Sequence, residues 1–301
     1  MSRVLLTGGT GFIGRHTIEP LTAAGHEVHA FSVSPPDESL GTVWHHVDLL
    51  DATATAEAIE RTRPELLLHL AWDVTPGAFW TASTNVPWVA ASLALLGEFL
   101  AAGGRRAVLA GTCAEYDWNG LREACREGTT PVRPHTLYGS CKHATHLVAE
   151  TLAAQQGAEL AWGRIFHLYG PGEREGRLVP SVARALLAGQ AVPTSDGSQL
   201  RDFTHVRDVA AAFVALLGSD VQGAVNVASG KGVTVRAVIE AIAAETGHGE
   251  LVEWGALARS PDDPPELVAD VARLRDEVGF SASIPLEAGL RESVESWRDA
   301  P

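Results

Sequence analysis

Two of the rarest residue types in the chain stand at a spacing that suits proton transfer. The 301 residues include three tyrosines and two lysines, and Tyr138 precedes Lys142 by four positions. On a helix, residues four apart lie on the same face. A lysine ammonium beside a phenol favours the phenolate, so Tyr138 would act as a general acid or base near neutral pH. The alternative is an ordinary pair on a solvated helix surface.

Thr112 is a candidate partner for this pair. It follows the apolar run over residues 106–110, which predicts a buried strand that ends just before it. A hydroxyl at the end of that strand could hydrogen-bond the same substrate oxygen as the tyrosine. The alternative is a threonine that only caps the turn after the strand.

A glycine-rich turn follows the first apolar run of the chain. Gly8, Gly11 and Gly14 are spaced three residues apart, close to the G-x-G-x-x-G fingerprint of dinucleotide-binding sites. Glycines allow a tight turn and a close approach of a pyrophosphate, which the N–H groups of the following helix attract. We expect a dinucleotide to bind here, in contact with Phe12 and Ile13. The alternative is a purely structural turn.

The residues after the second predicted strand indicate which dinucleotide would bind. The fingerprint expects an acid there for the ribose 2′-hydroxyl. The strand over 27–32 ends at Ser32 instead, and Asp37 and Glu38 follow only after two prolines. Arg15, directly after the last glycine, would reach a 2′-phosphate unless it is only a solvated helix arginine. These features favour NADP(H), with NAD(H) as the alternative.

The elements that must position these residues alternate regularly. Strand-like runs at 3–7, 27–32, 65–71 and 106–110 are separated by the glycine turn and by a helical segment over 86–102. This rhythm predicts an α/β protein with a doubly wound parallel (Rossmann) sheet. Beyond residue 166 the pattern is mixed. We expect a dinucleotide-binding domain over 1–166, with a return segment at about 203–228, and a smaller mixed α/β substrate lobe over 167–301.

Composition narrows the classes of partner. The formal net charge of −14 argues against binding to nucleic acid, and 46% hydrophobic residues argue against disorder. No apolar run approaches the ~18 residues of a membrane span. The first strand begins at Arg3, which leaves no room for a signal peptide, so we expect a cytoplasmic protein.

Cysteine and histidine spacing gives no metal signature. Cys113, Cys125 and Cys141 lack C-x-x-C spacing, which fits a reduced cytosolic protein. His143 and His146 share a helix face, yet no cysteine or acid stands at ligand spacing from them. We therefore expect no metal site.

Together these motifs resemble the short-chain dehydrogenase/reductase superfamily. Other stretches are similar to its extended branch, whose members mostly act on nucleotide-linked sugars. Those stretches are 47–49, 69–71, Asn85, 169–172, 201–208, 269–270 and the prolines Pro131 and Pro134. The resemblance spans nearly the whole chain.

The resemblance implies roles for further residues. Lys142 would also hold the nicotinamide ribose. Arg201 and Arg259 match arginines that clamp a nucleotide diphosphate; alternatively Arg201 pairs with Asp202 or Asp208, and Arg259 is solvated. The cofactor would further contact Asp48 and Leu49 at the adenine, and Leu70, Ala71 and Trp72 along its path.

Departures from the branch narrow the chemistry. Its sugar 4,6-dehydratases carry Asp-Glu directly after the threonine, where this chain has Cys113 and Ala114. Glu115 resembles the glutamate in the Ser-x-x-Glu-Tyr stretch of reductases that act on nucleotide-linked 4-keto-6-deoxy sugars; it either orients substrate or is a solvated loop acid. His167 replaces an asparagine that touches substrate, and it either does the same or is a satisfied histidine at a strand end.

We therefore expect an NAD(P)-dependent oxidoreductase that acts on a nucleotide-diphosphate sugar. The favoured reaction is reduction of a 4-keto (6-deoxy) sugar, with Tyr138 as the general acid and hydride from the nicotinamide. The alternatives are a 4-epimerase that retains NAD tightly and, more remotely, a non-catalytic dinucleotide-binding module. The resemblance also implies a homodimer, formed by the helix that carries Tyr138 and Lys142 and the helix near 86–102.

Overall fold

The predicted alternation of strands and helices produces a seven-stranded parallel sheet. The computed structural model describes residues 1–36, 41–121, 123–260 and 263–298. The strands of the large sheet are β1 (Arg3–Thr7), β2 (Glu27–Ser32), β3 (Thr42–His46), β4 (Leu66–His69), β5 (Arg106–Thr112), β6 (Glu159–Ile165) and β10 (Gly223–Val227). Their order is β3-β2-β1-β4-β5-β6-β10. The predicted doubly wound α/β fold is confirmed.

The central strands are apolar on both faces because helices cover both sides of the sheet. Leu5, Leu6, Leu67 and Leu68 are fully buried. One face is covered by α1 (Ile18–Ala23) and α6 (Val206–Gly218), and the other by α2 (Ala52–Thr62), α3 (Asn85–Ala101) and α4 (Leu137–Gln155). The strand order reverses between β1 and β4, where open α/β sheets bind ligands beyond the carboxyl ends of the strands.

The remaining elements form a smaller unit beside that edge. They are β7 (His167–Tyr169), β8 (Val192–Pro193), β9 (Leu200–His205), β11 (Gly232–Thr234), β12 (Val252–Glu253), β13 (Glu266–Leu267), α5 (Leu178–Leu187), α7 (Val235–Thr246) and α8 (Leu286–Arg298). Strand β9 pairs with β7 and β13 in parallel and with β11 antiparallel. Among the described helices, none is both long and apolar enough to cross a membrane.

Candidate active site

The glycine turn lies at the reversal point of the large sheet. Gly8 has a positive φ of 73°, and a Cβ there would come within 2.8 Å of the Ala71 nitrogen. A Cβ on Gly14 would overlap the carbonyl oxygen of Gly8. Gly11 N–H donates to that same oxygen at 2.9 Å. Only glycine fits these positions, and the resulting backbone cradle fits the pyrophosphate of a dinucleotide.

A buried polar chain fixes the residues that face this cradle. Thr7 Oγ1 lies 2.7 Å from His69 Nδ1, and His69 Nε2 lies 2.8 Å from Ser92 Oγ. Ala71 N–H donates to Thr7 Oγ1 at 3.3 Å. Burial, with a smaller effect from Lys142, lowers the pKa of His69 to about 3, so its imidazole is neutral. The chain thereby holds residues 70–71 against the glycine turn.

The residues expected at the adenine meet at the ends of β2 and β3. Ser32 is buried, and its Oγ lies 3.5 Å from Thr10 Oγ1 in the glycine turn. Val47 N–H donates to the Ser32 carbonyl oxygen at 3.0 Å, which brings the following Asp48 and Leu49 to the same edge. The Asp48 side chain is exposed, whereas Leu49 is buried.

Arg15 is engaged elsewhere, which corrects the expectation of a guanidinium free to bind a 2′-phosphate. Its Nη2 donates to the carbonyl oxygens of Pro171 at 3.2 Å and Gly172 at 2.8 Å. The side chain is exposed, as the solvated alternative held, although partial burial lowers the pKa of this arginine. Asp37 and Glu38 lie outside the described residues. The preference for NADP(H) therefore loses the residue on which it rested.

Tyr138 and Lys142 are brought together with Thr112, as their spacing predicts. Both side chains of the pair are buried, so the surface-pair alternative is wrong. Thr112 hydrogen-bonds the Tyr138 side chain and also caps the turn after β5, accepting from Ala114 N–H at 3.2 Å. Lys142 Nζ donates to the Ala110 carbonyl oxygen at 2.9 Å.

The protonation of this group differs from the expected phenolate. Burial raises the pKa of Tyr138, and the hydrogen bond with Thr112 opposes that rise only in part. Burial also lowers the pKa of Lys142 to about 7, against an opposing attraction from Glu115. Desolvation is therefore the largest influence on the phenol, which stays protonated.

An aromatic collar encloses Tyr138. It consists of Trp72, Phe79 and Trp80, and each ring meets the Tyr138 ring edge to face, with centroids 6.5, 4.9 and 5.9 Å away. Lys142 Nζ lies 3.9 Å from the centroid of a Trp72 ring, a cation–π contact. Of these rings, only Trp72 was expected from the sequence. The sequence signal for Phe79 and Trp80 was a Phe-Trp pair in the segment between β4 and α3.

Asn85, at the start of α3, holds the collar in place. Its Nδ2 donates to the carbonyl oxygens of Phe79 at 2.7 Å and Ala82 at 2.8 Å. Trp72 Nε1 donates to Asn85 Oδ1 at 2.8 Å. The Trp80 carbonyl oxygen accepts from Tyr138 N–H at 3.1 Å. The collar is therefore tied to both α3 and α4.

A cavity of about 930 Å³ opens beside the collar and extends into the smaller unit. Its lining includes Trp80, Trp118, Val182, Ile239 and Arg259. Ligand sites commonly have volumes of about 300–1,000 Å³, so this one suits a ligand as large as a nucleotide sugar.

The two arginines expected to bind a diphosphate meet around Asp263. Arg201 is buried and forms an ion pair with Asp263, not with Asp202 or Asp208 as the alternative held. Arg259 lines the cavity together with Asp263, and its Nη1 donates to Ser198 Oγ at 3.2 Å. Arg259 is half-buried, so the solvated alternative is wrong for it.

His167 faces two arginines, one of which the sequence did not reveal. Burial, together with Arg201 and Arg177, lowers the pKa of His167 to about 3, and its Nδ1 is buried without a partner. The satisfied-histidine alternative is therefore wrong. The Arg177 guanidinium lies 4.9 Å from the centroid of the Phe79 ring and interacts electrostatically with Tyr138. Nothing in the local sequence distinguishes Arg177 from other arginines.

Glu115 has neither of the two roles that the sequence suggested, a contact with substrate or a solvated loop acid. The residue has no exposed surface, so it neither is a solvated loop acid nor touches a substrate in this conformation. Together with His143 and His146 it forms a group with metal-ligand geometry. However, Arg164 Nε donates to Glu115 Oε2 at 3.0 Å and already neutralises the carboxylate, which opposes binding of a cation.

Comparison with known proteins gives a consistent result. The model of the NAD dependent epimerase/dehydratase family matches residues 4–228. The chain is 31% identical to the UDP-glucose 4-epimerase of Azospirillum brasilense, over 98% of this chain and 91% of that protein. It resembles the UDP-glucose 4-epimerase of Thermus thermophilus in complex with NAD, with a TM-score of 0.83 and 28% identity over 99% of this chain and 100% of that one. It also resembles MoeE5 in complex with UDP-glucuronic acid and NAD, with a TM-score of 0.84 and 29% identity over 98% of this chain and 99% of that one.

The matched range contains the glycine turn and the whole candidate catalytic group. Thr112, Tyr138 and Lys142 all lie within it. The relatives are enzymes that act on nucleotide sugars, and the protein is an enzyme of the same type rather than a non-catalytic dinucleotide-binding module. The chain belongs to the NAD-dependent epimerase/dehydratase family, the nucleotide-sugar branch of the extended short-chain dehydrogenases/reductases.

Proposed function

We propose that the enzyme reduces the 4-keto group of a nucleotide-diphosphate sugar, favoured as a 6-deoxy sugar, with NAD(H) as cofactor. The observation that carries this proposal is a buried, protonated Tyr138 that is hydrogen-bonded to Thr112 inside the aromatic collar. A phenol in this state holds the proton that a carbonyl oxygen must receive, and the transfer requires the phenolate that forms to be stabilised.

Each residue of the group has a role in the reduction. When bound, the cofactor supplies the hydride that adds to the carbonyl carbon. Tyr138 gives its proton to the carbonyl oxygen, and Thr112 Oγ1 holds that oxygen in place. Lys142, charged and beside Trp72, holds the ribose hydroxyls of the cofactor and stabilises the phenolate that the proton transfer leaves behind. The collar keeps water away from these steps.

The collar also bears on the choice between reduction and epimerisation. A 4-epimerase must oxidise the sugar, let the keto sugar turn over and reduce its other face. Trp80 lines the substrate cavity and Phe79 packs at 4.9 Å against Tyr138, so bulky rings flank the position where the sugar would have to rotate. Apolar rings also suit a methyl group at C6 better than a hydroxymethyl group.

Two observations support NAD(H) as the cofactor. Arg15, the residue that favoured a 2′-phosphate, is tied to the carbonyl oxygens of Pro171 and Gly172. Two similar solved structures, at 28% and 29% identity, contain NAD. NADP(H), favoured by the sequence alone, becomes the alternative.

The cavity supports a nucleotide-diphosphate sugar as substrate. Arg201 forms an ion pair with Asp263, and Arg259 lines the cavity together with that aspartate. A diphosphate would replace the carboxylate as the partner of Arg201 and would lie within the cavity that Arg259 lines. Arg177 interacts electrostatically with both Tyr138 and His167, and His167 Nδ1 is buried without a partner, so these two residues would contact the sugar.

A 4-epimerase is the second candidate, because the relative at 31% identity is a UDP-glucose 4-epimerase. It would use the same Tyr138 and Lys142 and would retain NAD through each turnover. Dehydration by the route of the 4,6-dehydratases is disfavoured, because Cys113 and Ala114 provide no acid and base after Thr112.

The experiment measures cofactor consumption and product together. Purified enzyme is mixed with NADH or NADPH and with UDP- or dTDP-linked 4-keto-6-deoxy sugars, while absorbance at 340 nm and proton NMR are followed. The proposal expects one NADH oxidised for each 4-hydroxy sugar formed. Interconversion of UDP-glucose and UDP-galactose without added cofactor would instead establish the epimerase.

A further inference from the structure

Glu115 is the buried acid for which the proposed reaction has no direct use. One carboxylate oxygen, Oε1, accepts from Thr112 N–H and from Trp162 Nε1–H, both at 2.8 Å. The other, Oε2, accepts from Arg164 Nε–H at 3.0 Å. Three donors from β5 and β6 thus converge on one side chain directly behind the catalytic group.

We propose that Glu115 is the positioning residue of this active site: it orients Thr112 through the backbone, and it is the buried carboxylate that Trp162 links to Lys142. This inference rests on the proposed roles of Thr112, Tyr138 and Lys142 in proton transfer. It replaces the substrate contact expected from the sequence.

The orienting part follows from a reciprocal hydrogen-bond pair. Thr112 N–H donates to Glu115 Oε1, while Ala114 N–H donates to Thr112 Oγ1 at 3.2 Å, so side chains and backbone lock the turn over 113–115 from both ends. The same Thr112 hydroxyl hydrogen-bonds Tyr138. Loss of Glu115 would let the hydroxyl that holds the substrate oxygen move.

The electrostatic part follows from what faces Lys142. Trp72 and Trp162 present ring faces, with Nζ 3.9 and 6.0 Å from their centroids. His69, on β4, is neutral because its pKa is lowered to about 3. Glu115 attracts Lys142 and raises its pKa, against a larger lowering by burial. Among these facing groups Glu115 is the anion.

Two histidines and one arginine face the Glu115 carboxylate. His146 comes within 4.0 Å, and burial holds its pKa at about 3; burial likewise lowers the pKa of His143. Arg164 is the cation of the pair, and it is also held on its other side, because its Nη1 donates to Tyr116 Oη at 3.2 Å. Arg164 therefore balances Glu115 without facing Lys142.

The test removes the charge of Glu115 in two ways. Glu115→Gln alone leaves Arg164 without a counter-ion, which destabilises a buried site. The double variant Glu115→Gln/Arg164→Gln restores a neutral pair of amides that can hydrogen-bond each other and keeps an acceptor for Thr112 N–H. The matched control is Asp208→Asn, a buried acid whose oxygens accept from Ser283 and Ile284 N–H, outside the catalytic group.

The readout is the titration of Lys142 followed by NMR of lysine side chains labelled with ¹³C. The chain has two lysines, so the spectrum contains two signals, and the exposed Lys231 is the internal reference. We expect the midpoint for Lys142 to fall by about one pH unit in Glu115→Gln, to fall by less in the double variant, which also loses the positive charge of Arg164, and to stay unchanged in Asp208→Asn. Because the charged lysine is then lost at lower pH, the alkaline limb of the kcat profile should move down by the same amount.

The outcomes separate this inference from the proposed function. An unchanged Lys142 midpoint in a folded double variant overturns the role of Glu115, whatever the activity. A shifted midpoint with no turnover of any nucleotide sugar by the wild-type enzyme supports the role of Glu115 and contradicts the proposed function. A shifted midpoint with a matching shift of the kcat profile supports both.

Discussion

The groups that surround the Tyr138 hydroxyl determine whether it could serve as the proposed general acid. Burial among aromatic rings raises its pKa, so the resting phenol holds the proton that a carbonyl oxygen needs. Burial shifts the pKa of Lys142 in the opposite direction. It lowers that pKa to about 7, and the attraction of Glu115 opposes the change. Near pH 7 a partly charged lysine and a neutral phenol therefore share one desolvated site, and the neutral phenol holds the proton that a general acid must donate.

Replacing Tyr138 by Phe tests this assignment. The ring keeps its edge-to-face contacts with the collar, so the fold and the cofactor site should be retained. Loss of the proton donor should lower kcat by about 10²-fold or more. Steady-state kinetics and cofactor titration by fluorescence would measure the two effects.

The control for this variant is Tyr169→Phe. Tyr169 is also buried, and its hydroxyl donates to the Leu286 carbonyl oxygen at 3.2 Å, among the residues of the smaller unit. Its loss should reduce stability without a comparable loss of kcat. Equal loss of activity in the two variants would contradict a proton-donating role for Tyr138.

The sequence predicts the placement of site residues well where that placement depends on local spacing. The four-residue interval between Tyr138 and Lys142 and the position of Thr112 after a strand were enough to bring the three together. The role of Glu115 depends on Trp162 and Arg164, which lie 47 and 49 residues away on a neighbouring strand. No local pattern carries that information.

The bounds of strands and helices are likewise predicted well where local sequence determines them. Strands β1 and β2 have the predicted bounds, because their apolar runs are closed by glycines or polar residues. The helix expected directly after the glycine turn is instead a 3-10 turn over Gly14–His16 followed by the short helix α1. Pro20 is one reason, since proline lacks the N–H that a longer helix would need at that position.

We propose a dinucleotide-binding domain over 1–166 and a substrate lobe over 167–301, with a different start for the return segment. Strand β9 pairs within the smaller sheet, whereas α6 packs on the large sheet and β10 extends it. The return segment would therefore begin with α6 at Val206 rather than at about residue 203. The chain returns to the large sheet at a hydrogen-bonded corner, where His205 caps α6.

The glycine turn is the element most sensitive to a single added carbon. A methyl group on Gly14 would overlap the backbone of Gly8 and Gly9, so Gly14→Ala must displace the turn. We expect cofactor affinity to fall at least tenfold, equivalent to about 1.4 kcal/mol, as measured by titration with NADH.

Gly218→Ala provides the matched control for Gly14→Ala. Gly218 ends α6, is exposed, and has nothing within 4 Å of an added Cβ. This variant should bind NADH as the wild type does and should be slightly more stable, because alanine favours helix over glycine by up to about 1 kcal/mol. Unchanged cofactor affinity in Gly14→Ala would contradict the assignment of the turn to the pyrophosphate.

At the scale of the whole molecule, α3 and α4 present an apolar outer surface. They pack against each other beside the large sheet, and their outward residues Val86, Leu147 and Val148 are 56%, 51% and 49% exposed. Large apolar side chains grouped on one surface favour association. Because α4 also carries Tyr138 and Lys142, we propose that a second copy of the chain covers this surface and forms the homodimer implied by the resemblance.

A charge placed in that surface should separate the two copies. Leu147→Glu would bury an unpaired carboxylate at the interface, which costs several kcal/mol and weakens association by about 100-fold or more. Light scattering after gel filtration should report twice the chain mass of 31.8 kDa for the wild type and a single chain for the variant. Val43→Glu, at a 46% exposed position on the edge strand β3, is the control and should leave the dimer intact. A monomeric wild type would contradict the interface, whereas loss of kcat together with the dimer would indicate that packing of α4 against its partner helps to hold Tyr138 in place.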